Sequence, residues 1–136
     1  MRSLRVLVVE DEGMIAMAIG DVLDEMGHHV CANAGTETDA VAASHRSNPD
    51  LIIIDCRLRI GSGIAAMSKI LSHGYVPHIY ISGDSLVAET LDRGAVVLQK
   101  PFSDIQLADA IASAMESRTV RTISGGDPQS SANGGY

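Results

Sequence analysis

Asp50-Leu51-Ile52-Ile53-Ile54-Asp55 decides the fold: four branched aliphatic residues in a row, with a carboxylate at either end. A run this short and this uniformly apolar predicts a strand covered on both faces, because a strand with one wet face alternates apolar and polar side chains. Upstream, Leu4 to Val9 repeats the pattern with Val6, Val8 and Val9, and ends in Glu10-Asp11-Glu12. Downstream, Val76 to Ile81 and Ala95 to Leu98 are two more such runs. His28 to Ala34 is a weaker one, carried by Val30, Cys31 and Ala32.

Between these runs the apolar period changes. Ile15, Ile19, Val22, Leu23 and Met26 recur at the three- and four-residue spacing of a helix packed on one side, and Gly27 ends it. Thr36 can cap a helix through Arg46, with Asp39 in its first turn where the helix dipole favours negative charge. Gly61-Ser62-Gly63 leads into a helix with Ile64, Met67, Ile70 and Leu71, and Ser85 to Arg93 reads as a short one. Ser103 caps the last, with Ile105, Ala108, Ile111, Ala112 and Met115 expected inward. Strands alternating with helices predict an α/β fold, a doubly wound five-stranded parallel sheet of flavodoxin-like type, order 2-1-3-4-5, with five helices.

At 136 residues the chain fits one domain. From Arg118 onward the composition turns to Ser, Gly, Asn and Gln, so residues 1–117 are expected to form the domain and 118–136 a flexible tail. A net charge of −7 with no basic cluster argues against direct binding to nucleic acid or an anionic membrane. The apolar runs are far shorter than the ~20 residues a bilayer requires. Met1-Arg2-Ser3-Leu4 runs straight into a strand and does not read as a signal peptide. Cys31 and Cys56 are too far apart for a zinc or redox motif. A reducing, cytoplasmic location is the expectation.

In such sheets, ligands bind outside the carboxyl ends of the strands. There stand Glu10, Asp11 and Glu12 after the first strand, Asp55 after the third, Ser82 after the fourth and Lys100 after the fifth. Converging carboxylates repel unless protonated or bridged by a cation. A few hard oxygen donors suit Mg²⁺, which keeps several waters and accepts phosphate oxygens. Lys100 and Ser82 offer a charge and a hydrogen bond to an incoming anion. The chemistry points to a magnesium-assisted phosphoryl site with a carboxylate nucleophile.

Four pieces in order, Val6-Leu7-Val8-Val9-Glu10-Asp11-Glu12, Asp50 to Asp55, Ile81-Ser82-Gly83 and Lys100-Pro101-Phe102, resemble the response-regulator receiver domain of two-component signalling over about residues 3 to 117. The resemblance implies Asp55 as the phosphate acceptor and Glu10 and Asp11 as magnesium-binding acids, with the Arg57 carbonyl as a further ligand. It implies that Ser82 bonds a phosphoryl oxygen, that Lys100 pairs with the phosphate, and that the peptide before Pro101 is commonly cis. Arg57 and Asp84 stand where the family tunes hydrolysis of the aspartyl phosphate. A histidine kinase or histidine phosphotransfer protein is implied as donor, and a homodimer is a family option.

The chain departs from the family in places. Arg59 replaces the usual proline, which should leave the loop to Gly63 looser. Val97 replaces the aromatic residue that most receivers carry three positions before the lysine, and Tyr80 on the fourth strand shares a face with Ser82. Pro77-His78-Ile79-Tyr80-Ile81-Ser82-Gly83 is similar to the PFxFATG pattern of an alphaproteobacterial subgroup of single-domain receivers, in which a fourth-strand aromatic accompanies loss of the fifth-strand one. Tyr80 is therefore the candidate switch residue.

Other readings fit less well. Gly61 to Ala66 matches a GxGxxA dinucleotide pattern, but it follows the third strand, and no acid ends the second to hold a ribose. Asp55-Cys56-Arg57 lacks the second aspartate of a haloacid-dehalogenase phosphatase. Cys56 reads as a small buried hydrophobe, the methionines as core, and the five histidines are scattered. The expected function is therefore that of a single-domain response regulator. It is not an enzyme on a separate substrate, but promotes its own Mg²⁺-dependent phosphorylation and dephosphorylation, and it signals by binding an unknown downstream protein. A phosphate sink or relay shuttle and a phosphorylation-independent scaffold are the alternatives; the complete acid, hydroxyl and lysine set counts against the scaffold.

Overall fold

The computed structural model describes residues 2–84, 91 and 94–125, with side chains to residue 116. Its elements are β1 (Arg5–Val9), α1 (Gly13–Glu25), β2 (His29–Ala34), α2 (Glu37–Ser47), β3 (Leu51–Asp55), α3 (Gly63–Leu71), β4 (His78–Ser82), β5 (Val96–Gln99) and α4 (Asp104–Gly125). The strands form one parallel sheet in the order β2-β1-β3-β4-β5, the flavodoxin-like winding read from the sequence.

β3 is buried at every position, as expected for the middle of a sheet covered on both faces. Alternation along each strand sorts the core into two layers. Val6, Val8, Leu51, Ile53, Ile79, Ile81 and Leu98 face α1 and α4, against Ile19, Leu23, Leu107 and Ile111. Leu7, Val9, Ile52, Ile54 and Tyr80 face α2 and α3, against Ala40, Ala43, Ala66, Met67 and Ile70.

The expected caps form. The Thr36 hydroxyl accepts from the Asp39 amide at 3.1 Å. Ser103 and Gln106 cap each other, side chain to backbone, at 3.1 and 2.8 Å. α2 ends at Asn48, which takes the left-handed conformation at φ 46°.

Four helices lie among the described residues; the short helix expected over Ser85 to Arg93 lies outside them. α4 runs to Gly125, past the domain edge at 117 expected from composition. Its inward stripe is Leu107, Ala110, Ile111 and Ala114, whereas Ile105, Ala108 and Ala112 are exposed. The expected stripe was phased on Ile105, which lies about 160° around the helix from Leu107. Met14 and Met17 on α1 are also exposed rather than core, because Ile15, Ile19 and Leu23 already form the face toward the sheet. No helix among the described residues is long and apolar enough to cross a membrane.

Candidate functional site

Strand register assembles the site. Val9 pairs with Ile54, Asp55 with Ile81, and Ser82 with Gln99, so Glu10, Asp55, Ser82 and Lys100 leave the sheet side by side. β3 runs one residue further than the sequence reading, which makes Asp55 its last residue, and β4 likewise ends on Ser82. These residues line an open cleft of about 460 Å³ with Asp11, Glu12, Arg57, Arg59 and Asp84.

Asp55 is buried, and both its oxygens are engaged. Oδ2 accepts from the Lys100 ammonium at 2.7 Å and Oδ1 from the Arg57 amide at 3.0 Å. Lys100 also donates to Glu10 Oε1 at 3.3 Å, and Glu10 Oε2 accepts from the Glu12 amide at 3.1 Å. Burial pushes the Glu10 carboxyl above its ordinary range, helped by the Asp55 charge and opposed by the Glu12 amide and Lys100. Lys100 titrates above its ordinary range because the Asp55 and Glu10 carboxylates together outweigh its own desolvation. The Lys100–Pro101 peptide is cis.

Asp11 sits apart from this trio, its Oδ2 accepting from the Arg59 amide at 2.6 Å. Among the described residues no three His, Cys, Asp or Glu side chains stand close enough to hold a metal ion by themselves. The donor set still fits Mg²⁺, which is bound by one or two carboxylates with waters and phosphate oxygens completing its shell. Glu10, Asp11, Asp55 and the Arg57 carbonyl provide only hard oxygen donors at the same open cleft. The Ser82 hydroxyl is turned into the following loop, donating to the Asp84 carbonyl at 2.7 Å and accepting from the Asp84 amide at 3.0 Å. The Arg57 guanidinium reaches the Asp84 carboxylate at 4.0 Å across the mouth of the cleft.

Tyr80 is buried on the α2/α3 side, and its register partner on β5 is Val97. The aromatic ring thus occupies the strand next to the one on which most receivers carry it. The His78 ring packs edge-on against Tyr80 at 5.2 Å. Cys56 is buried, and its thiol is pushed up to about 11 by burial and the Asp55 charge, so it stays an unreactive thiol at neutral pH.

One expectation fails in this region. With arginine at 59, the loop from Asp55 to Gly63 was expected to be loose; it is closely held. Arg57 bridges Ser62 in antiparallel fashion, and the Gly63 amide donates to the Cys56 carbonyl at 3.1 Å. A Cβ on Gly63 would collide with the Asp55 carbonyl, so only glycine permits this return of the chain. From the other side Glu37 takes the Ser62 amide at 2.9 Å and the Lys69 ammonium at 2.7 Å. The sequence reading missed Glu37, and no motif could have marked it: as the first residue of α2 it reads as one more acid at a helix N-terminus.

Known proteins resemble the chain over most of its length. The response regulator receiver domain family matches residues 6–112. The transcriptional regulatory protein PdtaR of Mycobacterium tuberculosis is 37% identical over 111 residues, which are 79% of this chain and 54% of PdtaR. The chain spans about half the length of the curated relatives it matches. The solution structure of the PhyR receiver domain of Erythrobacter litoralis superimposes with a TM-score of 0.76 at 33% identity, covering 83% of this chain and 90% of that one. The crystal structure of the anti-anti-sigma factor PhyR of Bartonella quintana gives a TM-score of 0.81 at 28% identity, covering 92% of this chain and 52% of that one.

Proposed function

The chain belongs to the response-regulator receiver family, and on that premise we propose that it accepts phosphate on Asp55 from a histidine kinase or histidine phosphotransfer protein and signals by phosphorylation-dependent protein binding. The observation that carries this reading is the Lys100 ammonium held between the buried carboxylates of Asp55 and Glu10 at the end of the central strands. A cation fixed on the acceptor oxygen marks where an incoming phosphoryl group, itself anionic, finds its counter-charge.

In the proposed transfer, a carboxylate oxygen of Asp55 forms the bond to phosphorus as the phosphorus–nitrogen bond to the donor's histidine breaks and the imidazole leaves. Lys100 passes from the acceptor oxygen to a phosphoryl oxygen. The Ser82 hydroxyl exchanges its bond to the Asp84 carbonyl for one to another phosphoryl oxygen. The Arg57 amide keeps Asp55 oriented throughout. Receiver domains generally bind Mg²⁺ at their acidic pocket; here Glu10, Asp11, Asp55 and the Arg57 carbonyl would hold it, and bound Mg²⁺ would neutralise charge on the transferring group.

Tyr80 is the proposed link from the site to the output surface, since it sits two residues before Ser82 on the same strand face. The Bartonella relative is named an anti-anti-sigma factor, a protein that acts on another protein, which supports protein binding as the output here. A cytoplasmic location belongs to the same proposal. The test is Mg²⁺-dependent uptake of one phosphoryl group from acetyl phosphate, followed by intact mass. Absence of uptake from acetyl phosphate and from a panel of phosphorylated kinases would reject the reading.

A further inference from the structure

The loop from Cys56 to Ser62 brings two backbone groups to the site, the Arg57 amide on Asp55 and the Arg59 amide on Asp11. Its far half is fastened to α2 at a single residue. The Glu37 amide donates to the Ile60 carbonyl at 3.2 Å, and Glu37 Oε1 accepts from the Ser62 amide at 2.9 Å. Glu37 Oε2 is fixed in turn by Lys69 on α3 at 2.7 Å. Gly61 lies so close beneath the Glu37 side chain, at φ +87°, that a Cβ there would strike it. Ser62 is also the partner of Arg57 across the narrow neck of the loop. A continuous path therefore runs from Glu37 through Ser62 and Arg57 to Asp55.

We propose that Glu37 is a positioning residue for the phosphoacceptor site, its carboxylate bracing the β3–α3 loop so that Arg57 and Arg59 hold Asp55 and Asp11 in register for Mg²⁺ and phosphate. Lys69, and next to it the Ser62 amide, keep the Glu37 carboxyl below its ordinary range, so the brace is charged at neutral pH. The ion pair with Lys69 is exposed and aims the carboxylate; the bond to the Ser62 amide transmits the constraint. The proposal rests on the reading of Asp55 and Asp11 given above.

The test compares Glu37→Ala, Glu37→Gln and Lys69→Met in the full chain by Mg²⁺ half-saturation, phosphorylation rate with acetyl phosphate, and amide exchange at Arg57 and Ser62. Glu37→Ala should raise the Mg²⁺ half-saturation about three- to tenfold, the scale of one ordinary hydrogen bond and less than the full worth of a charge-assisted one because the constraint reaches the site through Ser62 and Arg57, and speed exchange at both amides. Glu37→Gln keeps an acceptor for the Ser62 amide, and Lys69→Met keeps the carboxylate, so both should stay within about twofold of the parent. If Glu37→Ala does not fold, Glu37→Asp, one methylene too short to span Ser62 and Lys69 together, takes its place with the same expectation. A folded Glu37→Ala with parental half-saturation and exchange would overturn the proposal. So would a Lys69→Met as impaired as Glu37→Ala, which would mean a purely structural ion pair. If the parent itself took up neither Mg²⁺ nor phosphate, the reading of the site would fail. Amide exchange at Arg57 and Ser62 would then still decide the brace, faster in Glu37→Ala supporting it and unchanged overturning it.

Discussion

Lys100 Nζ lies 2.7 Å from Asp55 Oδ2, and the same ammonium reaches Glu10 Oε1 at 3.3 Å, so one cation serves two buried carboxylates. Removing it leaves the like charges of two buried carboxylates facing each other. Lys100→Ala should lower stability in metal-free buffer by about 1–3 kcal/mol, less than for a fully buried pair because the lysine is partly exposed. Mg²⁺ should then stabilise this variant more than the parent, since it replaces a cation the parent already has. Urea unfolding with and without Mg²⁺ measures both effects, and an equal Mg²⁺ increment in the two proteins would contradict the account.

Tyr80 and Val97 are register partners on β4 and β5, an aromatic and a β-branched side chain paired on the α2/α3 side of the sheet. Tyr80→Ala should leave phosphorylation of Asp55 nearly intact while diminishing the phosphorylation-induced amide shifts along β4 and β5. Shifts of parental size in a folded Tyr80→Ala would place the coupling elsewhere.

Arg57 and Asp84 meet at 4.0 Å, the arginine side chain largely in solvent and the aspartate partly so. An exposed pair of this kind is worth about 0–1 kcal/mol, which limits its influence to roughly fivefold in rate. Arg57→Ala should accelerate loss of phosphate from Asp55 within that limit, and the effect should shrink at high salt. A direct dephosphorylation assay showing an unchanged or slower rate would reject shielding by this pair.

His28 provides a pH dependence outside the site. It is buried, its Nδ1 accepts from the Leu4 amide at 3.0 Å, and burial lowers its pKa below the ordinary 6.5. Between its folded and unfolded pKa values the unfolded chain binds a proton that the folded chain does not, so stability rises with pH across that window. His28 should therefore contribute fully above about pH 6.5 and progressively less below it. The stability difference between the parent and His28→Gln, followed by thermal unfolding as pH falls, isolates this group; a difference independent of pH would contradict it.

The fold was legible in the sequence because burial on both faces writes itself as unbroken aliphatic runs, of which Leu51 to Ile54 is the clearest. The residues that leave the sheet, Glu10, Asp55, Ser82 and Lys100, were legible for the same reason, each standing at or just beyond the end of such a run. The phase of α4 was legible only in part: Ile111 is inward as expected, but the alanines fit more than one helical stripe, and only the packed sheet selects Leu107, Ala110 and Ala114. Nor was the hold on the acceptor loop. Glu37 and Ser62 are 25 positions apart, and a carboxylate bonding a backbone amide leaves no trace in residue type at the amide's end.

The central claim is that Asp55 receives the phosphate. Its most direct test is intact mass and peptide mapping of the parent and Asp55→Asn after incubation with acetyl phosphate and Mg²⁺. The asparagine keeps the size of the side chain and a carbonyl acceptor, but lacks the anionic oxygen that attacks phosphorus. The account predicts one phosphoryl group on the parent, located on Asp55 and lost on chelation of Mg²⁺ before the reaction, and none on Asp55→Asn. Full labelling of Asp55→Asn, or a phosphate on the parent mapped to another residue, would contradict it.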